Sequence, residues 1–543
     1  MSSKRVQETC EVLVVGGGPA GLCAALFLAR NGINVAVAER REHTGALPRA
    51  FALTSRTMEL FRVAGLEDRV RSAAAGFGHI RQMMAARTLA DPEFHWISDA
   101  RAPSAQPSPY SPADLLMCPQ SRYEAVLADA ARTAGADLRP GTELVSFTSD
   151  ADGVTALLRS VRDDIEYEIR ARYLVAADGA RSTIRETLGI PRTGQGALIE
   201  AAVSVLFHAD LTDAIAGREF FLCALTGPEV RGVLIPIPDT GQAVLGVGYD
   251  PQRQSAADFT PERCTQLLRH VTGQPELPVT VEQITAWTSG MRIAERFSAE
   301  RIFLLGDAAH QMTPAGGFGA NTAMQSAHNL AWKLAAVLGG WADSALLASY
   351  EAERRPVAWA TAEQAALRTA LQHGPLPRSQ AGELADEPAI TLGYRYPSHA
   401  SGGADGPAIG RHPCLDGSPG SRAPHVWLQR DGRRISTIDL FDRSFTLLSA
   451  GADGPWGEAA QRIAESTAIP LRHHAITPSA GNAELWDIDG RWPQTYGLGP
   501  GGAVLVRPDG YIAWRAPESH PDPHDMLRQV LATLTGTTAR NEK

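Results

Sequence analysis

The first apolar segment of the chain leads directly into glycines and then into a second apolar segment with helical spacing. Residues 12–15 are aliphatic and mostly β-branched, which predicts a strand. Glycines follow at positions 16, 18 and 21, and the helical pattern continues to Arg30. A second apolar run, residues 35–38, ends at the acidic residue Glu39. The pattern predicts a strand, a tight glycine turn, a helix and a second, parallel strand.

The spacing Gly16-x-Gly18-x-x-Gly21 in this context is typical of a dinucleotide-binding turn. Gly16 permits the tight turn, Gly18 lets a pyrophosphate approach the backbone, and Gly21 lets helix and strand pack closely. The pyrophosphate then meets unpaired N–H groups at the positive end of the helix dipole. FAD and NAD remain alternatives here, as does a glycine turn without a ligand. The candidate contacts are Gly16, Gly18, Pro19, Ala20, Gly21, Glu39 and Arg40.

Glu39 supports the dinucleotide interpretation, because it lies near the roughly 20-residue spacing at which a carboxylate meets ribose hydroxyls. An NADP site would favour a cation at this position. Arg49, which follows a proline, is either a solvated loop cation or a phosphate or isoalloxazine contact.

The segments up to residue 193 alternate between predicted helices and strands. Residues 55–72 and 121–133 have helical periodicity, and residues 142–148 and 154–159 predict an antiparallel hairpin. Residues 169–177 form a further apolar strand, which ends at Asp178-Gly179. A DG pair at a strand end is by itself common turn chemistry.

A second strand ends in glycine near the middle of the chain. Residues 301–306 form this apolar strand, and Asp307 follows it directly. The glycine-rich loop 314–321 then leads into a predicted helix over residues 322–338. The N-terminus of such a helix carries a positive partial charge and free N–H groups. We therefore expect a second ligand-binding turn, with a flexible loop and a simple helix cap as the alternative.

The region between these two units has a different pattern. Short alternating segments between residues 194 and 291 predict a mostly antiparallel sheet, inserted between two parts of a nucleotide-binding domain. One face of this sheet is free to cover a ligand, and Trp287, Phe220 and Phe221 are candidates to line it. Plain core packing is the alternative for these aromatic residues.

Composition narrows the class of protein. A chain of 543 residues with 44% apolar and 20% charged residues suits a globular enzyme of two or three domains. A net charge of −9 without a basic block argues against nucleic acid as the main partner. No apolar run is long enough for a membrane span, and no secretory signal is visible. Six scattered cysteines without metal-binding spacing indicate structural thiols, so we expect a cytoplasmic protein.

Three stretches together resemble the single-component FAD-dependent aromatic hydroxylases, the class A flavoprotein monooxygenases with the fold of p-hydroxybenzoate hydroxylase. They are residues 16–21, Asp178-Gly179, and Gly306-Asp307 with the loop that follows. Within that family the chain is most similar to bacterial polyketide hydroxylases of the aklavinone 11-hydroxylase type. The stretches that carry this likeness are residues 48–50, 56–60, 292–296, 331–334, 424–425 and 507–514.

The resemblance implies an α/β fold with a Rossmann-type FAD-binding domain, an inserted antiparallel substrate domain and a C-terminal thioredoxin-like domain. The C-terminal domain has no cysteine, because none follows Cys414, and this leaves it a structural or dimerising role. We expect a monomer or a homodimer. The predicted boundaries are 1–193 and 292–373 for the FAD-binding domain with its long helix, 194–291 for the substrate sheet, 374–424 for a linker and 425–543 for the thioredoxin-like domain.

The resemblance also implies roles for individual residues. Glu39 would bind the adenosine ribose of FAD, and Arg49 and Gln120 would lie near the phosphates and the flavin. Asp307 would meet the ribityl or pyrophosphate region, and Asp178 is linked in the family to both FAD and NADPH. The second turn would contact the pyrimidine edge of the flavin. Its candidate residues are Pro314, Gly317, Phe318, Gly319, Ala320 and Asn321. Relatives often have Asp where Ser326 stands, which concerns the packing of this helix.

The activity implied is hydroxylation of an aromatic polyketide, such as an anthracycline-like polyphenol, with NADPH and O2 through a flavin C4a-hydroperoxide. The protein would position the cofactor, exclude water from it and stabilise the charges that develop on it. Baeyer–Villiger oxygenation or oxidative ring rearrangement on the same fold is the first alternative, and a flavin-binding protein without turnover is the second. A plain NAD dehydrogenase is disfavoured because the chain has no Tyr-x-x-x-Lys. No general base is identified, since structural roles are expected for His310 and His328.

Overall fold

The computed structural model describes residues 7–537 except 43–44, 46, 78–79, 81, 98–107, 374–382, 397–405, 452–453 and 479–483. Its strands are β1 Gln7–Val15, β2 Val35–Glu39, β3 Ala52–Leu53, β4 Met83–Ala86, β5 Phe94–Trp96, β6 Leu116–Met117, β7 Asp137–Pro140, β8 Thr142–Ser149, β9 Val154–Ser160, β10 Glu166–Ala176, β11 Arg192–His208, β12 Leu222–Thr226, β13 Arg231–Ile237, β14 Gln242–Gly248, β15 Thr280–Ala294, β16 Ser298–Ala299, β17 Ile302–Leu304, β18 His310–Gln311, β19 Trp427–Arg430, β20 Arg433–Ser436, β21 Phe445–Ala450, β22 Leu471–Thr477, β23 Leu485–Asp487, β24 Ala503–Val506 and β25 Ile512–Ala516.

The helices complete the description of the elements. They are α1 Pro19–Arg30, α2 Ser55–Val63, α3 Glu67–Ala73, α4 Gln120–Thr133, α5 Thr183–Thr187, α6 Thr212–Ile215, α7 Pro261–Thr272, α8 Phe318–Leu338, α9 Ala348–His373, α10 Glu387–Thr391, α11 Pro455–Ser466, α12 Trp492–Tyr496 and α13 Pro523–Thr535. Within the part of the chain that is described, none of them combines the length and the apolar character needed to cross a lipid bilayer.

The first sheet has the order β16-β17-β10-β1-β2-β7, and its central pairs are parallel. The strand β1 is fully buried from Val12 to Val14 because helices cover the sheet. The hairpin β8–β9 adds antiparallel strands through β10. The predicted β1–α1–β2 unit and the predicted hairpin are both confirmed.

The second sheet has the order β18-β15-β11-β14-β13-β12-β4-β5 and is antiparallel except for the pair β12–β4. The predicted inserted sheet is therefore present, and it also includes β4, β5 and β18 from outside residues 194–291. One face packs on α7 through apolar residues such as Leu234 and Leu268. The other face turns toward the first domain and carries a second apolar cluster.

Residues 55–72 are two helices in the structure, not the single helix predicted. The helix α2 ends at Val63, and α3 begins at Glu67. Gly65 lies between them with a left-handed φ of 74°, which interrupts the helical path. Two apolar faces that would form one stripe in a continuous helix thus pack in two directions.

The C-terminal sheet has the order β20-β19-β23-β22-β21-β24-β25. Its core runs β21–α11–β22 with a parallel pair, then α12, then the antiparallel hairpin β24–β25 and α13. This succession is the thioredoxin-like arrangement that the resemblance implied. Before it, the described parts of residues 374–424 are closely packed, since Tyr394, Tyr396 and Arg422 are almost fully buried.

Candidate functional site

The glycine turn between β1 and α1 brings three chain segments close together. Gly16 has a left-handed φ of 108°, and a Cβ on it would overlap the carbonyl oxygen of Ala177 after β10. A Cβ on Gly21 would overlap the carbonyl oxygen of Gly16. Only glycine permits both approaches. The turn thus forms where the spacing predicted it, and Asp178 follows directly on the segment packed against it.

Gly18 differs from the other two glycines of the turn. Its φ of −77° suits any residue, and a Cβ on it would meet no atom of the described residues within 4 Å. Gly18 is also the N-cap of α1 and supplies no side-chain cap, so the first N–H groups of the helix have no capping oxygen. Pro19 occupies the first turn, where its missing N–H is tolerated. The result is an open surface over a positive helix end.

Glu39 lies beside this turn at the end of β2. Its Oε2 accepts a hydrogen bond from the Gly17 N–H at 2.5 Å, and its Oε1 accepts one from the Arg41 N–H at 2.9 Å. The guanidinium of Arg40 points to the surface, 3.8 Å from the Glu143 carboxylate. The structure thus brings Glu39 to the turn and directs Arg40 away from it.

A second turn of the same kind joins β17 to α8. Gly306, Gly316 and Gly317 all have left-handed φ, at 62°, 85° and 67°. The Gly317 N–H closes the loop onto the Pro314 carbonyl at 3.0 Å, and Gly317 then caps α8 without a side chain. The helix begins at Phe318, before the predicted start, because this glycine turns the chain directly into it. The N–H groups of the first turn of α8, which includes Gly319 and Ala320, lack intrahelical partners.

The two turns meet at Gly306. A Cβ on Gly306 would lie 3.0 Å from the Cβ of Ala20 in α1 and 3.5 Å from the Cβ of Ala323 in α8. The first turn of α1 and the second turn of α8 therefore approach one point, and the two helices pack on each other. Two N-termini without side-chain caps at one place favour negative charge there.

Two carboxylates border this region. Asp307 reaches solvent, yet enough protein surrounds it for desolvation to raise the pKa of its carboxyl, and the positive charge of the exposed Arg49 opposes that shift. Burial likewise raises the pKa of Asp178. Its Oδ2 accepts the Ile184 N–H at 3.3 Å, while its buried Oδ1 has no hydrogen-bond partner among the described residues. Asp178 therefore retains an acceptor for a further group.

Asn321 and Gln120 hold the loop beside the second turn. The Asn321 Oδ1 accepts hydrogen bonds from the Thr54 N–H at 2.9 Å and the Thr57 hydroxyl at 2.7 Å, and its Nδ2 donates to the carbonyls of Ala52 and Gly317. The Gln120 N–H donates to the Ala50 carbonyl at 2.9 Å. The side chain of Asn321 is thus occupied by protein, and any contact it offers a ligand comes from its backbone.

Aromatic residues cover the inner face of the second sheet near this loop. Phe221 makes edge contacts with Phe51 and Phe77, with ring centroids 5.7 and 5.9 Å apart. Phe220 faces the opposite side and packs in the core under α7. Trp287 donates from its indole to the Ser204 hydroxyl at 2.9 Å. Of the three aromatic residues considered from sequence, Phe221 lies in the cluster that faces the first domain.

The two histidines of the second unit differ in exposure, since His310 is fully buried and His328 is half-buried. Burial lowers the pKa of His310 to about 3, and both of its ring nitrogens lack a hydrogen-bond partner among the described residues. Burial also lowers the pKa of His328 to about 3, and its ring contacts Phe27 of α1 at a centroid distance of 4.5 Å. Both side chains are therefore neutral at neutral pH.

The structure also assembles a buried ion cluster that sequence reasoning did not identify. Glu353 accepts two hydrogen bonds from Arg507 and one from the Lys333 ammonium, at 2.6 to 2.9 Å. Asp509 accepts from Arg507 and from the Asn329 amide. Arg507 and Glu353 are 154 positions apart, so no local pattern could pair them. The only sequence signal was that the stretches 331–334 and 507–514 both carried the family resemblance.

Comparison with known proteins agrees with this geometry. Residues 9–365 match the family described as FAD binding domain, and residues 416–538 match the family described as aromatic-ring hydroxylase, C-terminal. The chain is 43% identical to a putative polyketide hydroxylase of Streptomyces halstedii, over 96% of each chain. It is 40% identical to a tetracenomycin A2 monooxygenase-dioxygenase of Streptomyces glaucescens, over 98% of each.

A solved structure of aklavinone-11 hydroxylase with FAD and aklavinone superposes with a TM-score of 0.87, at 37% identity, over 97% of this chain and 99% of the other. The predicted fold and the choice of FAD over NAD are thereby confirmed. The chain belongs to the family of FAD-dependent aromatic-ring hydroxylases, and it is a flavin-dependent monooxygenase.

Proposed function

We propose that this chain uses NADPH and O2 to hydroxylate an aromatic polyketide at an FAD bound between α1, α8 and the second sheet. One oxygen atom of O2 is inserted into a C–H bond of the ring to give a hydroxyl group, and the other leaves as water. NADPH is oxidised to NADP+, and its hydride together with one proton supplies the two electrons and two hydrogens of that water. The observation that carries the proposal is the convergence of two N-termini without side-chain caps at Gly306, next to an aromatic sheet face.

The described residues fit FAD. Gly18 has room above it for a pyrophosphate, and the N-terminus of α1 supplies N–H groups and positive charge. Glu39 lies at the end of β2, where its carboxylate would accept hydrogen bonds from the hydroxyls of a ribose. The exposed Arg49 offers a cation near Asp307, and the first turn of α8 offers N–H groups to the flavin. We therefore propose these residues, with Pro314, Gly317 and Asn321 shaping the second turn, as the cofactor site.

The substrate class is inferred from the sheet face and from the relatives. The Ala52 carbonyl is held by Asn321, so the neighbouring Phe51 places its aromatic cluster next to the N-terminus of α8. Ring faces and edges of this kind suit a flat, fused aromatic system. A relative named for tetracenomycin A2 and a structure that holds aklavinone point to polyketides of this shape. The cluster contains Leu47, Phe51, Phe77, Met117, Leu206, Ile235, Ile237 and Val244.

When bound, FAD supplies electron transfer from NADPH to O2 and the activation of oxygen. The residues of this chain position the reacting groups and stabilise the charges that develop on them. The positive end of α8 stabilises negative charge that develops on the group in front of it, and this is worth most where water is excluded. The apolar sheet face excludes water from the same region.

A group of arginines near Asp178 supports NADPH as the reductant. Burial lowers the pKa of Arg192, and the neighbouring charges of Arg185 and Arg292 lower it further. The buried Nη1 of Arg185 has no hydrogen-bond partner among the described residues. Clustered guanidinium groups of this kind bind phosphate. Arg192 and Arg292 are half-buried, while Arg185 is buried behind them. We propose that Arg192 and Arg292 receive the phosphate groups of NADPH.

The test measures NADPH consumption by the FAD-loaded protein, with and without a tetracyclic polyphenol, and determines the product by mass spectrometry and NMR. Coupled turnover with a gain of one oxygen as a phenolic hydroxyl is the expected result. The same mass gain with an oxygen inserted into the ring would indicate a Baeyer–Villiger enzyme instead. Peroxide release without product would contradict the substrate class, and failure to oxidise NADPH would contradict the activity.

The reductant site has its own test. Arg292→Met should raise the KM for NADPH about tenfold or more, because a charged hydrogen bond to phosphate is lost, and should leave FAD affinity unchanged. Arg296→Met is the matched control on the same segment, where the side chain is exposed. An unchanged KM in Arg292→Met would place the NADPH phosphates elsewhere.

A further inference from the structure

The C-terminal domain has no cysteine among its residues, yet it makes buried contacts with the flavin-binding part of the chain. The helix α2 lies at this junction. At its start, the Thr54 N–H and the Thr57 hydroxyl donate to the Asn321 Oδ1. Asn321 belongs to the first turn of α8, which we propose as a flavin contact. One side of α2 is therefore tied to the cofactor site.

The same turn of α2 is tied to the C-terminal part of the chain on its other side. The Arg56 guanidinium donates to the Asp509 carbonyl at 2.6 Å and to the Glu59 carboxylate at 2.9 Å. Arg422 donates to both oxygens of Glu59, and the Nε bond measures 2.9 Å. The side chains of Glu59 and Arg422 have no exposed surface. Residues 54–59 thus contact the flavin loop and the C-terminal segment within six positions.

The Glu59 carboxylate forms ion pairs with Arg56 and Arg422 at this junction. Burial favours the neutral form of the Glu59 carboxyl, but the charges of Arg422 and Arg56 outweigh it and hold its pKa below the ordinary value. The Ser111 hydroxyl adds a hydrogen bond to Glu59 at 2.6 Å. A buried ion pair is a poor source of stability compared with apolar packing, but it permits few alternative geometries.

Asp509 completes the connection. Its backbone carbonyl holds Arg56 on α2, and its carboxylate accepts from the Asn329 amide on α8 at 3.0 Å. The C-terminal domain therefore contacts the first turn of α2 and the middle of α8, and Asn321 joins that turn of α2 to the N-terminus of α8. These contacts together set the placement of the N-terminus of α8.

We infer that the C-terminal domain positions the flavin site through α2, with the Glu59–Arg422 pair as the connecting element. Arg422 lies at the end of the segment that leads directly into that domain. Glu59 and Arg422 are positioning residues, because they act through Thr54, Thr57 and Asn321 and not on the reacting atoms. The inference rests on the proposed placement of FAD at the N-terminus of α8.

The test compares two conservative variants. Arg422→Lys keeps the charge but loses the two-bond fork to Glu59. Arg62→Lys makes the same change at the other end of α2, where Arg62 binds Asp439 of the C-terminal domain through two bonds of 2.6 and 2.9 Å. Both variants weaken contacts between α2 and the C-terminal part of the chain, but only Arg422 binds the turn of α2 that also contacts Asn321.

Arg422→Lys should lower FAD affinity at least tenfold and change the visible circular dichroism of the bound flavin. Arg62→Lys should keep FAD affinity within twofold and leave that spectrum unchanged, even if both variants unfold at lower urea concentrations. Wild-type affinity and spectrum in Arg422→Lys would overturn the inference. The inference would also be overturned if both variants lost FAD affinity equally and in proportion to their loss of stability.

Ser111→Ala provides the second variant in case Arg422→Lys does not fold. It removes one hydrogen bond from an uncharged donor to the Glu59 carboxylate, and with it the acceptor of the Ala113 N–H. Arg56 and Arg422 still bind Glu59, so about a threefold loss of FAD affinity with the same spectral change is expected. Unchanged affinity and spectrum would overturn the inference. Wild-type protein that takes up no FAD would overturn both proposals, whereas FAD uptake without turnover would tell only against the proposed activity.

Discussion

The N-termini of α1 and α8 face the same region, but they are built in different ways. At α1, the glycines of residues 16–21 create the turn by local conformation and by close contact with the neighbouring strand segment. At α8, the turn also depends on Asn321, which makes hydrogen bonds to Ala52, Thr54 and Thr57 more than 260 positions away. The first site follows from the backbone conformation of its own glycines and their close packing, whereas the second also requires side-chain hydrogen bonds to a distant segment.

This difference predicts different sensitivities. The first site should fail when a glycine acquires a side chain that collides with the backbone. The second should fail when a distant hydrogen bond or a buried group is changed.

Gly16→Ala should have the largest effect. The new Cβ would overlap the Ala177 carbonyl, and a left-handed φ of 108° is strained for alanine. We expect a loss of about 3 kcal/mol or more in the free energy of unfolding of the apoprotein. Urea denaturation measures this directly. Wild-type stability would show that the turn tolerates a side chain and is not locally encoded.

Asn321→Ala should destabilise the second site by about 2 to 4 kcal/mol, because the donors of Thr54 and Thr57 lose their acceptor in a buried position. FAD affinity should fall with it. Asn31→Ala is the control, since its Nδ2 makes one local, half-buried hydrogen bond to the Phe27 carbonyl. The two variants are compared by urea denaturation and FAD titration. Equal effects of the two changes would contradict the tertiary origin of the second site.

Acid should weaken the second unit through its histidines. Burial lowers the pKa of His310 and of His328 to about 3, from an ordinary value near 6.5. The unfolded chain therefore binds more protons below pH 6.5, and the stability contributed by the neutral histidines is lost progressively as the pH falls toward 3. Each should cost about 2 kcal/mol of unfolding free energy between pH 7 and pH 5.

Denaturation at both pH values measures this dependence, with His310→Gln and His328→Gln as comparisons. Each variant should lose part of the pH dependence between pH 5 and pH 7. If the unfolding free energy of both variants depends on pH as steeply as that of the wild type, the histidines are not the groups that bind protons on unfolding.

The sequence predicted best what is local. The β1–α1–β2 unit, the hairpin β8–β9 and the second glycine turn all follow from spacing and periodicity, and the structure contains them. The break at Gly65 was missed because the apolar pattern of residues 55–72 continues through it. Arg40 was predicted to contact the cofactor, but its guanidinium points toward Glu143 of β8. The local spacing around Glu39 could not show where β8 would lie, so it could not predict this orientation.

Long-range packing was beyond sequence reasoning. The cluster of Phe51, Phe77 and Phe221 joins three separate segments, and only Phe221 was considered from its local pattern. The buried pair of Glu59 and Arg422 is separated by 363 positions. Glutamate and arginine side chains are usually solvated, so a sequence pattern around either residue does not indicate that a distant segment buries it.

The most direct measurement of the cofactor assignment is FAD titration of Gly18→Ala beside the wild type, together with the unfolding free energies of both apoproteins. A Cβ on Gly18 meets no atom of the described residues within 4 Å, so apoprotein stability should change by no more than about 0.5 kcal/mol. FAD affinity should fall at least tenfold, because the new methyl group occupies the approach of the pyrophosphate. Unchanged FAD affinity would contradict the placement of the cofactor at this turn.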